Sequence, residues 1–154
     1  SDAKVQLCLN EYGYDYAINY RSSGFEAELE RACPDGIDIF FDNTGGDISD
    51  AVFERLNRNA RIVQCGTAAT ASWTTKPLGP RRERDMLVKE LTWRGFIIIW
   101  HSDRMRAALE DLQALYARGV VKSKEHVLEG LQQAPGAISE LYAGEHLGRL
   151  VIRL

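Results

Sequence analysis

The sequence has few of the features that mark membrane, secreted or nucleic-acid-binding proteins. No apolar run approaches the roughly 20 residues that a transmembrane helix needs, and the first residues lack the charged-then-apolar pattern of a secretory leader. The 19 basic residues are outnumbered by 22 acidic ones, which gives a formal net charge of -3. A general nucleic-acid binder would carry a basic excess. We therefore expect neither a membrane nor a nucleic acid as a partner.

Cysteine, histidine and proline are also scarce. Three cysteines, an odd number without a paired motif, cannot form a closed set of disulfides within one chain and favour a reducing cytoplasm. The three histidines form no zinc-ligand pattern with them, so no metal site is predicted. Four prolines leave no long structural linker, and 154 residues suit one compact domain with a real core.

What the sequence does contain is an alternation of helical and extended periodicities. Short apolar runs at residues 37–41, 60–65, 96–100 and 150–154 predict strands, with a further extended segment around Val127. Apolar residues at helical spacing predict helices over residues 3–10, 25–33, 48–56, 81–90, 105–116 and 135–143. Strands that alternate with helices are typical of an α/β fold with a parallel sheet.

Three local expectations follow from this pattern. Asp47 and Ser102 are predicted N-caps, each for the helix that follows it. The run at residues 96–100, the most hydrophobic in the chain, is expected to be a central strand or a paired edge, because a bare edge of this kind would aggregate. One apolar stripe is predicted to face the core, and it consists of Met105, Ala108, Leu109, Leu112, Leu115 and Tyr116.

The turn Asp42-Asn43-Thr44-Gly45-Gly46 follows the first strand of this alternation. Its two glycines lack the Cβ atoms that would keep a flat or phosphorylated ligand at a distance, and Asn43 offers both a donor and an acceptor. The alternative is an ordinary strand-to-helix turn. Ligands of parallel sheets bind beyond the carboxyl ends of the strands, so Cys65-Gly66, after the next strand, is expected at the same edge.

Seven short motifs in a fixed order connect the chain with one known family. It resembles the zinc-independent, NADP-dependent enone reductases of the medium-chain dehydrogenase/reductase superfamily, a group that includes prostaglandin and leukotriene B4 reductases and plant alkenal double-bond reductases. The resemblance covers nearly the whole chain. The motifs are Ser1-Asp2-Ala3-Lys4, Asn19-Tyr20-Arg21, Pro34-Asp35-Gly36-Ile37-Asp38, Asp42-Asn43-Thr44-Gly45-Gly46, Cys65-Gly66, Gly95-Phe96-Ile97 and Leu147-Gly148.

The resemblance implies a partial Rossmann fold, a doubly wound parallel sheet without its first strand and glycine-rich loop. Residues 1–154 would be an incomplete NADP-binding domain with a C-terminal family segment, and the N-terminal catalytic domain would be absent. The intact parent is then expected to transfer hydride from NADPH to the double bond of an enone or alkenal, or of a quinone. It is expected to be a homodimer that pairs through residues 96–100. The isolated chain is expected to be inactive and to bind NADP weakly at best.

The resemblance also implies roles for individual residues. Lys4 and Tyr20 would lie near the adenosine 2′-phosphate, Asn43 at the nicotinamide ribose, and His146 at a position where the family usually has asparagine. Some relatives carry tyrosines at the positions of Ala71 and Val88. This chain has neither hydroxyl group, so no catalytic acid is identified. The implied cofactor-binding residues are Lys4, Tyr20, Asn43, Gly45, Cys65, Gly66, Thr67, Ala71, Phe96, Ile97, Ile98 and His146.

Other interpretations of the residues stay open. The chain could be a non-catalytic nucleotide-binding or oligomerisation module, which requires no N-terminal domain, or a Rossmann-like methyltransferase that binds S-adenosylmethionine. Cys65 is interpreted as a small buried residue and not as a nucleophile, because no histidine is close to it in sequence. Trp73 is predicted either to line the substrate entrance or to anchor the packing of its loop.

Overall fold

The computed structural model describes residues 1–70, 75–144 and 146–154, and it has an α/β fold with parallel strands. Within these ranges 3-10 turns cover Ala68–Thr70, Leu131–Gln133 and Ile98–Arg104, the last with a kink at His101. The chain separates into a central unit, Tyr20–Asp103, and a terminal unit, Ser1–Asn19 with Arg104–Leu154. The helices are α1 (Asp2–Asn10), α2 (Phe25–Ala32), α3 (Gly46–Glu54), α4 (Glu83–Val88), α5 (Met105–Ala117) and α6 (Ala134–Ala143). The strands are β1 (Ile37–Asp42), β2 (Leu56–Gln64), β3 (Thr92–Gly95), β4 (Glu125–Glu129) and β5 (Arg149–Arg153).

The central unit is built on a three-stranded parallel sheet in the order β1-β2-β3. Asp42 pairs with Gln64, and Gln64 pairs with Gly95, so the three strands end level with one another. Burial of apolar side chains supplies the main stabilisation of such a unit. Its buried apolar residues come from α2, α3, β2 and the loop before β3, and they are Leu29, Val52, Phe53, Leu56, Ala60, Ile62 and Leu91.

The terminal unit contains a separate pair of parallel strands, β4 and β5. Helix α6 connects them and shows the predicted end signals, a proline in its first turn and Gly144 in the left-handed conformation at its end. Its Glu140 carboxylate lies 3.1 Å from the His126 ring on β4. Lys124, just before β4, forms an ion pair with Glu11 at 2.7 Å. The ion pair between Lys124 and Glu11 joins the two sequence segments of this unit, and the contact between Glu140 and His126 holds α6 to β4.

The predicted strand at residues 96–100 is wrong. The strand lies earlier, at Thr92–Gly95, and stops there because its partner β2 ends at Gln64. The Phe96 N–H group still donates to the Gln64 carbonyl at 2.9 Å, and a 3-10 segment begins at Ile98. Hydrophobic, β-branched residues favour a strand, but pairing with a neighbour decides where a strand ends.

Two predictions about α5 are also wrong. The helix begins at Met105 with Arg104 as its N-cap, so Ser102 does not cap it. Its apolar stripe is not core, because Leu109 and Leu112 are each 51% exposed and Tyr116 is 59% exposed. The spacing identified an amphipathic helix correctly, but spacing carries no information about what covers the apolar face.

The remaining boundaries shift by a few residues. Strand β2 begins at Leu56, which had been assigned to the preceding helix, and α4 covers only six residues. No helix within the described ranges combines the length and apolarity that crossing a membrane requires.

Candidate functional site

Two turns meet at the carboxyl ends of β1 and β2, and we call residues 42–46 and 65–70 the paired turns. The N–H groups of Cys65 and Gly66 donate to the Asp42 carbonyl, at 2.7 and 3.2 Å. The N–H group of Ala68 donates to the Asn43 carbonyl at 3.3 Å, and that of Ala69 donates to the Thr44 carbonyl at 2.8 Å. Five of the predicted cofactor-binding residues are thereby brought together, namely Asn43, Gly45, Cys65, Gly66 and Thr67.

Glycine is required in the first turn by backbone conformation. Gly45 and Gly46 have φ angles of +68° and +63°, a region that other residues adopt at a cost. Gly45 is the N-cap of α3, and Asp47 lies inside the first turn of the helix, so the prediction of Asp47 as the N-cap is wrong. The left-handed glycine pair starts the helix two residues earlier than the pattern of side chains suggested.

Glycine is required in the second turn by lack of space. A Cβ atom at Gly66 would overlap Oδ1 of Asn43 and would lie 2.9 Å from the Asn43 carbonyl oxygen. The Asn43 side chain therefore packs directly on the backbone of the neighbouring turn while the residue stays exposed. The sequence predicts that both residues lie at the same edge of the sheet, and the structure shows the contact between them.

Asp42 is a buried carboxylate inside the first turn, with 1% of its surface exposed. Its Oδ1 atom accepts hydrogen bonds from the N–H groups of Thr44 and Gly45, each at 2.8 Å. Burial raises the pKa of this carboxyl, but those two backbone bonds and the side chains of Gln64 and Ser49 outweigh the effect, so the pKa lies below its ordinary value. Asp42 is therefore ionised at neutral pH, and the turn encloses a fixed negative charge.

Gln64, the last residue of β2, links the second turn to β3. Its Nε2 atom donates to the Gly66 carbonyl at 2.7 Å, and its Oε1 atom accepts from the Trp93 indole at 3.2 Å. The Trp93 ring contacts Phe53, with ring centroids 4.9 Å apart. This chain of contacts connects the position of the Gly66 backbone to the core of the central unit.

Arg82 fastens the N-terminus of α4 to α3. Its guanidinium forms ion pairs with Asp50, Glu54 and Asp85 at 2.9, 2.9 and 3.1 Å, and only 10% of its side chain is exposed. It also lies over the Phe53 ring, 4.9 Å from the centroid. A buried guanidinium is costly without such partners, so this cluster holds the start of α4 against α3.

Two cavities open beside the paired turns. The larger, of about 490 Å³, is lined by Asp42, both glycines of the first turn, Thr67, Arg82 and Trp93 among others. The smaller, of about 270 Å³, is lined by Tyr20, Gly45 and Ala69 together with residues of α2 and α3. Tyr20 thus shares a cavity with the first turn, and the Arg21 guanidinium lies 5.8 Å from the centre of its ring.

The remaining predicted residues fall in three places. Phe96 follows β3 and stacks on His101 with ring centroids 5.0 Å apart, and Ile97 and Ile98 after it are exposed. Lys4 on α1 and His146 before β5 belong to the terminal unit. The buried Nδ1 atom of the His146 ring has no hydrogen-bond partner among the described residues. Ala71 lies outside the described residues, as does Trp73.

Asp42 belongs to a predicted motif but has no predicted role, and Gln64 and Trp93 are not predicted site residues. The basic run that contains Arg82 is typical of a solvated helix start, whereas the structure buries the Arg82 side chain to 10% exposure. A signal for Asp42 existed, since an aspartate two or three residues before a glycine pair commonly bonds the backbone of its own turn. The contacts of the other three residues join segments that are distant in sequence, and no local pattern identifies such pairs. Across the described ranges, no group of three or more histidine, cysteine, aspartate or glutamate side chains could hold a metal ion.

Comparisons with known proteins agree on one group of enzymes. The family model described as Zinc-binding dehydrogenase matches residues 12–152. Prostaglandin reductase 1 of Sus scrofa is 36% identical over 99% of this chain and 47% of its own length, and (+)-pulegone reductase of Mentha piperita is 33% identical over 99% and 44%. The crystal structure of CurA from Vibrio vulnificus in complex with NADPH superposes with a TM-score of 0.89 at 33% identity, over 99% of this chain and 47% of that one. The chain therefore spans about half the length of these relatives.

Proposed function

Because the chain belongs to the zinc-binding dehydrogenase family, we propose that it is the NADP-binding part of a reductase that acts on the carbon-carbon double bond of an enone or alkenal. The paired turns are the observation that carries this proposal, since they present an exposed asparagine and glycine backbone at the carboxyl edge of a parallel sheet. Support comes from two relatives, one solved in complex with NADPH and one named a pulegone reductase.

NADPH supplies, when bound, the hydride that adds to the β-carbon of the double bond, and the neighbouring carbon takes a proton. The residues of this chain orient the cofactor. Asn43 can donate and accept hydrogen bonds at the nicotinamide ribose, and the absence of side chains at Gly45 and Gly66 lets the cofactor approach the backbone. Phe96, Ile97 and Ile98 would border the nicotinamide, where apolar side chains exclude water from the reacting carbon.

The adenosine end of the cofactor requires cations. In the terminal unit we assign Lys4 to the 2′-phosphate, because a charged ammonium distinguishes NADP from NAD by attraction to that phosphate. In the central unit we assign Tyr20 separately as a cofactor-binding residue. Cys65 and Thr67 would border the cofactor mainly through their backbone. His146 would replace an asparagine amide with an imidazole at its contact.

Zinc has no place in the proposed reaction. The description of the family model includes zinc, but the described part of the chain offers no group of side chains that fits a metal ion. We propose a zinc-independent enzyme because the chain resembles the zinc-independent enone reductases, and metal analysis of the purified full-length protein checks it. A stoichiometric zinc ion that is needed for turnover would contradict the proposal.

The proposed activity belongs to the full-length protein, since this chain spans about half of its relatives. We propose that the isolated chain is inactive and binds NADP weakly at best. We also propose that the parent works in the cytoplasm, where Cys8, Cys33 and Cys65 stay reduced. Consumption of NADPH by the full-length protein in the presence of enones, alkenals and quinones tests the function. No turnover with any of these classes would count against it.

A further inference from the structure

Asp42 is a charged side chain with the exposure of a core residue. Its surface is 1% exposed, as is that of Phe53 and Ile62. Moving a carboxylate out of water costs free energy unless hydrogen bonds compensate for it. An ionised carboxylate at the end of β1 therefore calls for a specific structural reason.

The compensation comes from the backbone of the turn itself. The Oδ1 atom of Asp42 accepts from the N–H groups of Thr44 and Gly45, each at 2.8 Å, and the nearby side chains of Ser49 and Gln64 also lower the pKa of the carboxyl. Its buried Oδ2 atom has no hydrogen-bond partner of good geometry in the described part of the chain. In glycine-rich turns that bind phosphate, such N–H groups face the ligand. Here the N–H groups of Thr44 and Gly45 already donate to the Asp42 carboxylate. They cannot donate to a phosphate at the same time, and the negative charge of Asp42 would repel one.

The same bonds hold Asn43 in place. Residue 43 lies between the carboxylate and its two N–H donors, its carbonyl accepts from Ala68, and its Oδ1 atom packs on Gly66. Asn43 nevertheless remains exposed, with a side chain that can bond a ligand in two ways. The turn therefore holds the Asn43 side chain in one place, where its uncharged amide can contact a ligand.

We infer that Asp42 is the positioning residue of the cofactor turn: it fixes Asn43 for an uncharged part of the cofactor, a ribose hydroxyl or the carboxamide, and excludes phosphate from residues 43–45. The inference rests on the proposed function, because it assigns NADPH to this edge of the sheet. Asp42 acts through the backbone of Thr44 and Gly45 and does not itself touch the cofactor.

The test uses the full-length protein and two ligands, NADPH and adenosine 2′,5′-bisphosphate. The second carries the adenosine phosphates without the nicotinamide or its ribose. Asp42→Ala removes the acceptor for both N–H groups, so we expect the Kd for NADPH to rise by about tenfold or more while the Kd for the bisphosphate stays within about twofold. Asp42→Asn keeps a carbonyl acceptor, and we expect it to bind NADPH within about threefold of the wild type.

Asp35→Asn is the matched control, because it removes a carboxylate from the turn at the opposite end of β1. We expect it to change neither constant. Should Asp42→Ala fail to fold by circular dichroism, Asp42→Glu makes the same comparison, since it keeps the charge and displaces the oxygen by one methylene group.

Two results would overturn the inference. One is an unchanged Kd for NADPH in the folded alanine or glutamate variant. The other is an equal loss of both ligands, which is what general damage to the fold would produce. A wild-type protein that binds NADPH but reduces no enone, alkenal or quinone would instead refute the proposed reaction and leave the role of Asp42 standing.

Discussion

The Oδ1 atom of Asn43 occupies the space that a Cβ atom at Gly66 would need. Gly66→Ala must therefore displace the asparagine, and we expect it to raise the Kd for NADPH of the full-length protein by about tenfold and to destabilise the fold by about 1–3 kcal/mol. Titration calorimetry and urea unfolding measure the two effects. Gly95→Ala is the control, because a Cβ atom there meets nothing within 4 Å. Equal behaviour of the two variants would show that the contact is unimportant.

Lys4 carries the proposed preference for NADP. Lys4→Ala removes an ammonium from the site assigned to the 2′-phosphate, so we expect the ratio of kcat/KM for NADPH to that for NADH to fall by about tenfold. The rate with NADH should change little, because NADH has no 2′-phosphate. Lys122→Ala, in the loop before β4, is the control for loss of one positive charge. If the ratio stays constant, Lys4 has no part in cofactor choice.

Asp42 predicts a particular dependence of stability on acid. Burial raises the pKa of its carboxyl, but the backbone N–H groups of Gly45 and Thr44 and the side chains of Gln64 and Ser49 bring it below the ordinary value of 3.8. As the pH falls, the Asp42 carboxylate therefore takes up a proton in the unfolded chain before it does so in the folded one. Its contribution to the free energy of unfolding is complete above pH 3.8 and is lost as the pH falls through the folded pKa.

Asp42→Asn, which has no proton to take up, isolates that contribution. Urea midpoints of the full-length wild type and variant should differ most at about pH 6, and the difference should shrink towards about pH 3. A difference that stays constant over this range, or grows on acidification, would contradict the placement of an ionised Asp42 in the turn.

Removal of the Arg82 side chain is expected to destabilise the fold strongly. Arg82→Ala leaves the carboxylates of Asp50, Glu54 and Asp85 without their common partner, and we expect a loss of about 3 kcal/mol in the free energy of unfolding of the full-length protein. Arg58→Ala breaks the exposed pair with Glu90 and should cost about 1 kcal/mol or less. Urea unfolding measures both losses, and we expect the lower midpoint for Arg82→Ala. Equal losses in the two variants would mean that the Arg82 cluster fastens nothing.

The exposed apolar run after β3 supports a proposed homodimer of the full-length protein. Ile97, Ile98, Ile99 and Trp100 are each more than half exposed, and such a patch is typical of an interface. Ile98→Asp should convert the dimer to a monomer in light scattering, because a carboxylate cannot be buried there without a partner. Leu87→Asp changes an exposed leucine on α4 and should leave the mass unchanged. A monomeric wild type, or a folded Ile98→Asp dimer, would refute this interface.

Where local chemistry decides a structure, the sequence was sufficient to predict it. The apolar run of β1, the glycines after it, and the proline and glycine that bracket α6 were recognisable because each imposes a conformation on its own neighbours. The same holds for five residues of the paired turns, which two adjacent parallel strands bring to one edge. A resemblance to one family supplied the roles that local chemistry could not.

Where the structure depends on distant contacts, prediction from the sequence failed. Ile98 and its neighbours have strong strand propensity but no continuing partner, and the stripe on α5 is amphipathic yet half exposed. Asp42 was visible as part of a motif, but only coordinates show that its carboxylate is buried and holds two N–H groups. These errors share one cause, because pairing and burial are properties of the folded chain and not of a sequence window.

The most direct measurement is a single reaction of the full-length protein with an α,β-unsaturated ketone and NADPH deuterated at the transferable position of the nicotinamide. If the paired turns orient NADPH for reduction of a double bond, magnetic resonance of the product will show a saturated ketone with deuterium on its β-carbon. An allylic alcohol with deuterium on the carbonyl carbon, or recovery of unchanged ketone from a protein that consumes no cofactor, would contradict the proposed function.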